Sequence, residues 1–264
     1  MQYLRVSAAR LRLLTVVIVA SALNAGLTDA VVLASTEAPI GAPPAAAPPA
    51  SVESVGAAPA ATEVPSVFSV AGWDASELHG INPNVLKLAF AASRCATRSG
   101  DATDPSTLTI IDYSKASTEP RLWVLDLRTR ERLYHELVAH GQGSGENFAT
   151  RFSNRADSHQ TSLGLFVTEG TYVGRNGYSL RLNGLDRGFN DRARERAIVM
   201  HGAPYVNTGI SKSLGRLGRS HGCPAVRDAV ARELIDRVKG GSLVFSYYPD
   251  EQWLNNSKYL SCSQ

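Results

Sequence analysis

Cys223 closes the run Arg219-Ser220-His221-Gly222-Cys223, and a second imidazole, His201, stands upstream beside Gly202. A thiol with an imidazole in reach is the material of a cysteine nucleophile and its general base. His201 ends the apolar run Ala197-Ile198-Val199-Met200, which reads as a strand that can lie beside the cysteine loop. His221, two residues before the thiol, would share a face with it on an extended segment. Residue types leave the base open between the two. His201 is the favoured base, with His221 as an orienting or oxyanion-side group.

The residues around the thiol suggest how it is activated. Gly215 to Ser220 reads as a loop, and a helix is predicted from about Ala225 to Lys239, stopping at Gly240-Gly241. A thiol just ahead of a helix has its thiolate favoured by the backbone N–H groups and the positive dipole end. The amides of Gly222 and Cys223 would then face an oxyanion, with glycine at 222 admitting close approach of a substrate and Pro224 fitting the helix entrance. Arg216 and Arg219 are candidates to bind a substrate carboxylate, against ordinary solvated loop charge. Tyr178 and Arg181 are placed either in the cleft or on a structural strand face. A zinc site on His201, His221 and Cys223 is the competing chemistry, but His-x-Cys is tight for two ligands on one metal and no further Cys or acidic motif lies near. No metal and no cofactor are expected, since thiol, imidazole and backbone amides suffice for acyl transfer.

These groups need elements to carry them. Asn82-Pro83 caps a predicted helix over 83–97 with a wide apolar face. The period then shortens, and strands are predicted over 108–113, 121–127, 133–139, 163–168, 178–182, 197–201 and 242–248, with a hairpin at Arg128 to Glu131. A further short helix is predicted over 191–196. Strands in runs, with helices at the ends, argue for a mainly β domain with a few packed helices (α+β).

The first quarter of the chain is of another kind. Residues 1–30 carry Arg5, Arg10 and Arg12 and then a mostly apolar stretch closed by small residues, the pattern of a secretory signal peptide. An uncleaved anchor is the competitor, with roughly 20 apolar residues expected of it; membrane attachment follows only if the segment is kept. Residues 31–65 read as an Ala/Pro-rich disordered linker: from Thr36 to Pro65 there are ten Ala and seven Pro and no aromatic residue, too little apolar surface to offset the entropy of ordering. Residues 66–264 remain as one catalytic domain. The formal charge is +3, of which the leader supplies +2, so the remainder is nearly neutral and gives no electrostatic reason to expect nucleic acid. Export favours disulfides. Of the three cysteines, the economical split leaves Cys223 free and pairs Cys95 with Cys262, a closure worth about 4 to 5 kcal/mol in the chain-entropy model, against three separate thiols with Cys95 as a small apolar helix residue.

His201-Gly202, seventeen residues and then Ser220-His221-Gly222-Cys223 resembles the signature of the L,D-transpeptidase catalytic domain of the YkuD type. The murein-type branch is further suggested by Arg151-Phe152-Ser153-Asn154, Ser162-Leu163-Gly164, Tyr178 to Leu182, and the stretch from Gly215 to Val226. The resemblance implies a β-sandwich-like catalytic fold, a periplasmic or cell-envelope location and peptidoglycan stem peptides as partners. It implies Cys223 as nucleophile, His201 as base, and His221, Ser220 and Gly222 shaping the site. A thioester would form with loss of terminal D-Ala and pass to an amine; water in its place gives carboxypeptidase activity or cleavage of protein–murein links. A wall-binding protein that has lost catalysis is the reading from another class. A monomer is expected. The usual polar residue two after the cysteine is Ala225 here, so its contribution must come from elsewhere or be absent.

Overall fold

The computed structural model describes residues 67–262; the predicted leader (1–30) and linker (31–65) lie outside the described residues. Helix α1 (Pro83–Arg98) opens where its cap is written: the Asn82 side chain accepts from the Asn84 N–H at 2.9 Å, with Pro83 in the first turn. Val85, Leu86, Ala89 and Phe90 form its buried face.

Nine strands follow: β1 (Thr107–Asp112), β2 (Leu122–Asp126), β3 (Glu131–Glu136), β4 (Val138–Ala139), β5 (Gly164–Gly174), β6 (Gly177–Gly184), β7 (Val199–Ala203), β8 (Ala225–Arg227) and β9 (Leu243–Tyr247). They make one sheet in the order β3-β2-β1-β9-β5-β6-β7-β8-β4. The β1/β9 and β7/β8 pairs are parallel and the rest antiparallel. β3 and β4 form the opposite edges, yet only Leu137 separates them in the chain. One nearly continuous strand therefore ties the first edge to the last, and the sheet must coil round towards a barrel. The expected strand over 133–139 is split at that residue because its two halves pair with different neighbours.

Both faces of the central strands are covered. Leu108, Ile110 and Phe245 pack with α1 and with Trp253 of α4 (Glu251–Asn256). Ile111, Val124 and Val244 pack with Leu234, Ile235 and Val238 of α3 (Asp228–Val238). Two-sided burial explains why these strands read as continuous apolar runs. The β2–β3 hairpin forms at the expected place, with the Asp126 carboxylate accepting from the Arg128 and Thr129 N–H groups.

Two expectations are corrected. The predicted helix over 191–196 is a series of turns: the segment is pinned by Asn154 to Asp191 and by Arg196 to the 153–160 loop. The helix expected from Ala225 starts at Asp228, because residues 225–227 are drawn into the sheet as β8 between β7 and β4. Two short helices, α2 (Thr208–Leu214) and α4, had no periodic signal. α2 buries nothing and α4 only Trp253, and both are held by caps, Asn207 and Asp250.

A disulfide joins Cys95, buried in α1, to Cys262, while Cys223 is free. Among the described residues no helix is long and apolar enough to cross a membrane.

Candidate active site

Register places His201 between small neighbours. It pairs with Ser179 of β6 on one side and Ala225 of β8 on the other, and Ala225 pairs with Ala139 of β4. Cross-strand partners share a face, so the imidazole stands in a row of Ser, Ala and Ala. The residue two after the thiol is thus the cross-strand neighbour of the imidazole, and its small side chain packs in an apolar cluster with Leu137, Ala203 and Leu217. Gly202 belongs to the opposite face, where α3 begins: a Cβ there would meet Asp228 Oδ1 at 2.7 Å and the Ala231 Cβ at 2.8 Å.

His201 is only 4% exposed. Its Nδ1 lies 2.8 Å from the Gly202 carbonyl oxygen. A carbonyl can only accept, so Nδ1 carries the proton and Nε2 keeps its lone pair. Burial holds this imidazole below the ordinary histidine pKa, which keeps it neutral at physiological pH. The strand brings it alongside the nucleophile loop, with the His201 N–H donating to the Pro224 carbonyl at 3.4 Å.

Cys223 departs from expectation in its electrostatics. It leads into β8, not into a helix, and α3 starts five residues later, so the thiol does not stand at a helix N-terminus. Burial pushes the thiol pKa up, with the Val199 N–H and the Arg196 charge opposing it. The S–H donates to the Ala197 carbonyl at 3.7 Å and the sulfur accepts from the Val199 N–H at 3.5 Å. Ala197 holds φ 53°, a left-handed conformation uncommon for a residue with a side chain, and this strain turns its carbonyl onto the thiol. The loop is braced by Ser220, whose hydroxyl donates to the Cys223 carbonyl at 2.6 Å and accepts from the Gly222 N–H at 3.1 Å. The Gly222 amide expected to face an oxyanion is therefore turned inward. Gly222 has φ 120°, and a Cβ there would lie 2.8 Å from the Gln160 carbonyl oxygen.

The segment carrying His221 is not extended. The box bends at Gly222, and the exposed His221 ring stacks on His159 at 4.2 Å between centroids. Arg216 and Arg219 both pair with Glu146, at 2.8 and 2.7 Å. Tyr178 donates to Asp236 of α3 at 2.6 Å under the Arg232 guanidinium. A pocket of 240 Å³ opens along the backbone that holds the sulfur, lined by Ala197, Ile198 and Val199 with Tyr172, Arg181 and Arg194. Arg194 pairs with Glu169, whereas Arg181 lies over the Tyr172 ring at 4.2 Å and has no carboxylate partner among the described residues.

The sequence reading missed four groups here: His159, Arg196, Arg121 and His140. Arg121 is fully buried; it donates to the Val138 and Lys115 carbonyls and, at 2.8 Å, to His140 Nδ1. His140 Nε2 then donates to the Gly145 carbonyl at 3.3 Å, and the His140 carbonyl accepts the Ser220 N–H at 3.0 Å. Nothing in spacing marks these residues; His140, just beyond β4, meets the Cys223 loop through Ser220.

The family model of the L,D-transpeptidase catalytic domain matches residues 77–247. Among solved structures, an L,D-transpeptidase from Mycobacterium smegmatis is 16% identical, covering 54% of this chain and 59% of its own, with a TM-score of 0.33. An L,D-transpeptidase from Stackebrandtia nassauensis is 15% identical over 65% of this chain and 73% of its own, TM-score 0.35. The helical cell shape determining protein Pgp2 from Campylobacter jejuni is 11% identical over 62% and 55%, TM-score 0.38. No curated protein matches the chain significantly. The family match spans well over half of the chain and takes in both His201-Gly202 and the Ser220 to Cys223 box, so this chain belongs to the L,D-transpeptidase catalytic domain family.

Proposed function

We propose that this protein is an exported cysteine acyltransferase acting on peptidoglycan stem peptides. What supports the reading is a buried, free thiol hydrogen-bonded to the β7 backbone at Val199, and on the same strand a neutral imidazole whose Nδ1 is tied to Gly202, leaving Nε2 to accept a proton. Such a pair suits general-base activation from a neutral ground state. His201 Nε2 takes the thiol proton as sulfur attacks the carbonyl of the third stem residue. The imidazolium gives that proton to the leaving D-Ala nitrogen, and a thioester on Cys223 remains. An acceptor amine attacks the thioester, its proton passes through His201 to sulfur, and the thiol is restored. The 240 Å³ pocket beside Ala197 to Val199 seats the donor stem, with Arg181 offering a charge to a stem carboxylate. Export is supported by the leader and by the Cys95–Cys262 disulfide.

The test is D-Ala release from a disaccharide tetrapeptide with and without an acceptor amine. Cys223→Ala and His201→Ala are each expected to abolish release. Product formed only with water would make the enzyme a carboxypeptidase, and turnover that survives Cys223→Ala would refute the reading.

A further inference from the structure

The nucleophile loop lacks the cation its chemistry calls for. Cys223 leads into a strand and not a helix, the residue two after it is alanine, and Arg216 and Arg219 are spent on Glu146. Yet a buried sulfur that must become a thiolate needs a compensating charge close by.

Arg196 occupies that place. It lies in the turns before β7, directly ahead of Ala197, whose carbonyl holds the thiol. Its guanidinium is half-buried and fixed by hydrogen bonds to four acceptors: Nη1 donates to the Ser153 carbonyl at 2.6 Å and the Ser162 hydroxyl at 2.5 Å, and Nη2 to the Gln160 carbonyl at 2.7 Å and the Ser158 hydroxyl at 3.2 Å. Every acceptor is neutral, and among the described residues no carboxylate pairs with it. Two peptide carbonyls and two hydroxyls hold the fork in position without cancelling its charge. The side chain closes on the nucleophile loop: a Cβ built on Gly222 would lie 3.4 Å from Arg196 Nη2. Burial draws the guanidinium pKa down and the proximity of Cys223 draws it up, the reciprocal of the lowering it exerts on the thiol.

We propose that Arg196 is the positioning residue that stabilises the negative charge developing on the Cys223 sulfur, a fixed cation delivered by the turn before β7. This rests on Cys223 being the nucleophile. The other titratable groups that feel the sulfur are the Tyr113 phenol beyond β1 and the Tyr205 phenol beyond β7; burial raises both phenols, so they stay neutral over the working range, and burial likewise keeps His201 of β7 neutral. Arg196 is therefore the charged group among them.

The experiment is the pH dependence of Cys223 alkylation by iodoacetamide on the full chain with its disulfide intact. It needs no stem peptide, so an absence of turnover on peptidoglycan leaves it readable. In Arg196→Gln the midpoint is expected to rise by about one unit, with an alkylation rate near neutral pH about tenfold lower. Arg196→Lys, which keeps the charge and loses the fork, is expected to recover at least half of the shift. A purely structural role for the hydrogen bonds would make both variants alike. Ser162→Ala, which loosens the guanidinium without removing it, is expected to shift the midpoint in the same direction by less, and it carries the test if Arg196→Gln does not fold. A midpoint equal to that of the parent in folded Arg196→Gln, or in Ser162→Ala, overturns the proposal.

Discussion

For the proposed mechanism the decisive atom is His201 Nδ1. Its bond to the Gly202 carbonyl fixes which ring nitrogen can work as a base, and burial lowers the pKa below the ordinary histidine value of 6.5. The sign is definite: the base is competent when neutral, so activity is retained above the folded pKa and lost as pH falls through it. The acid limb of kcat/KM against pH is accordingly expected to have its midpoint below the ordinary histidine value, and a midpoint at or above that value contradicts the assignment. The thiol pKa moves in the opposite sense, upward with burial, so the resting pair is neutral and not an ion pair. As candidates, Cys223 and His201 stand out in the sequence, since a thiol, an imidazole and their glycines leave a pattern. Arg196 was not, because its role depends on four acceptors between residues 153 and 162 that only the fold brings to it.

Among the elements, the two-residue strand β4 has the largest reach. It closes the sheet against β8, and the residues just beyond it brace the nucleophile loop, with the His140 carbonyl and the Gln142 N–H bonded to Ser220. Behind it, burial first and the Arg121 charge second hold the His140 pKa down at about 4. An unfolded histidine binds its proton near 6.5, so between those values the unfolded state holds more protons than the folded one. Stability should fall as pH drops from neutrality towards 4, by up to ~3 kcal/mol from this group. Urea unfolding of the parent and of His140→Gln, near neutral pH and at about pH 4.5, checks this: the variant is expected to lose less on acidification, and equal losses contradict the account. The sequence could not reveal β4 or β8. Segments of two and three residues leave no period to read, and Pro224-Ala225-Val226 suits a helix entrance as well as a strand until its neighbours are known. The long elements were clear for the opposite reason: α1 repeats its apolar face over several turns, and the buried strands are unbroken apolar runs.

For the whole molecule, closure is the common theme. The sheet joins its first and last strands through Leu137, and the disulfide joins α1 to the end of the described chain, across 167 residues. A covalent loop of that span restricts the unfolded chain by about 5 kcal/mol in the entropy model, less any strain. The mainly β class was readable from the succession of short strands. The coiling was not, because it depends on which edge strand is continuous with which.

The most direct measurement of the central claim is the intact mass of the full protein after exposure to a purified disaccharide tetrapeptide. The account predicts an adduct equal to the donor less D-Ala, located on Cys223, absent in Cys223→Ala and not formed in His201→Ala. An unmodified Cys223 that still reacts with iodoacetamide, or an adduct on another residue, would contradict it.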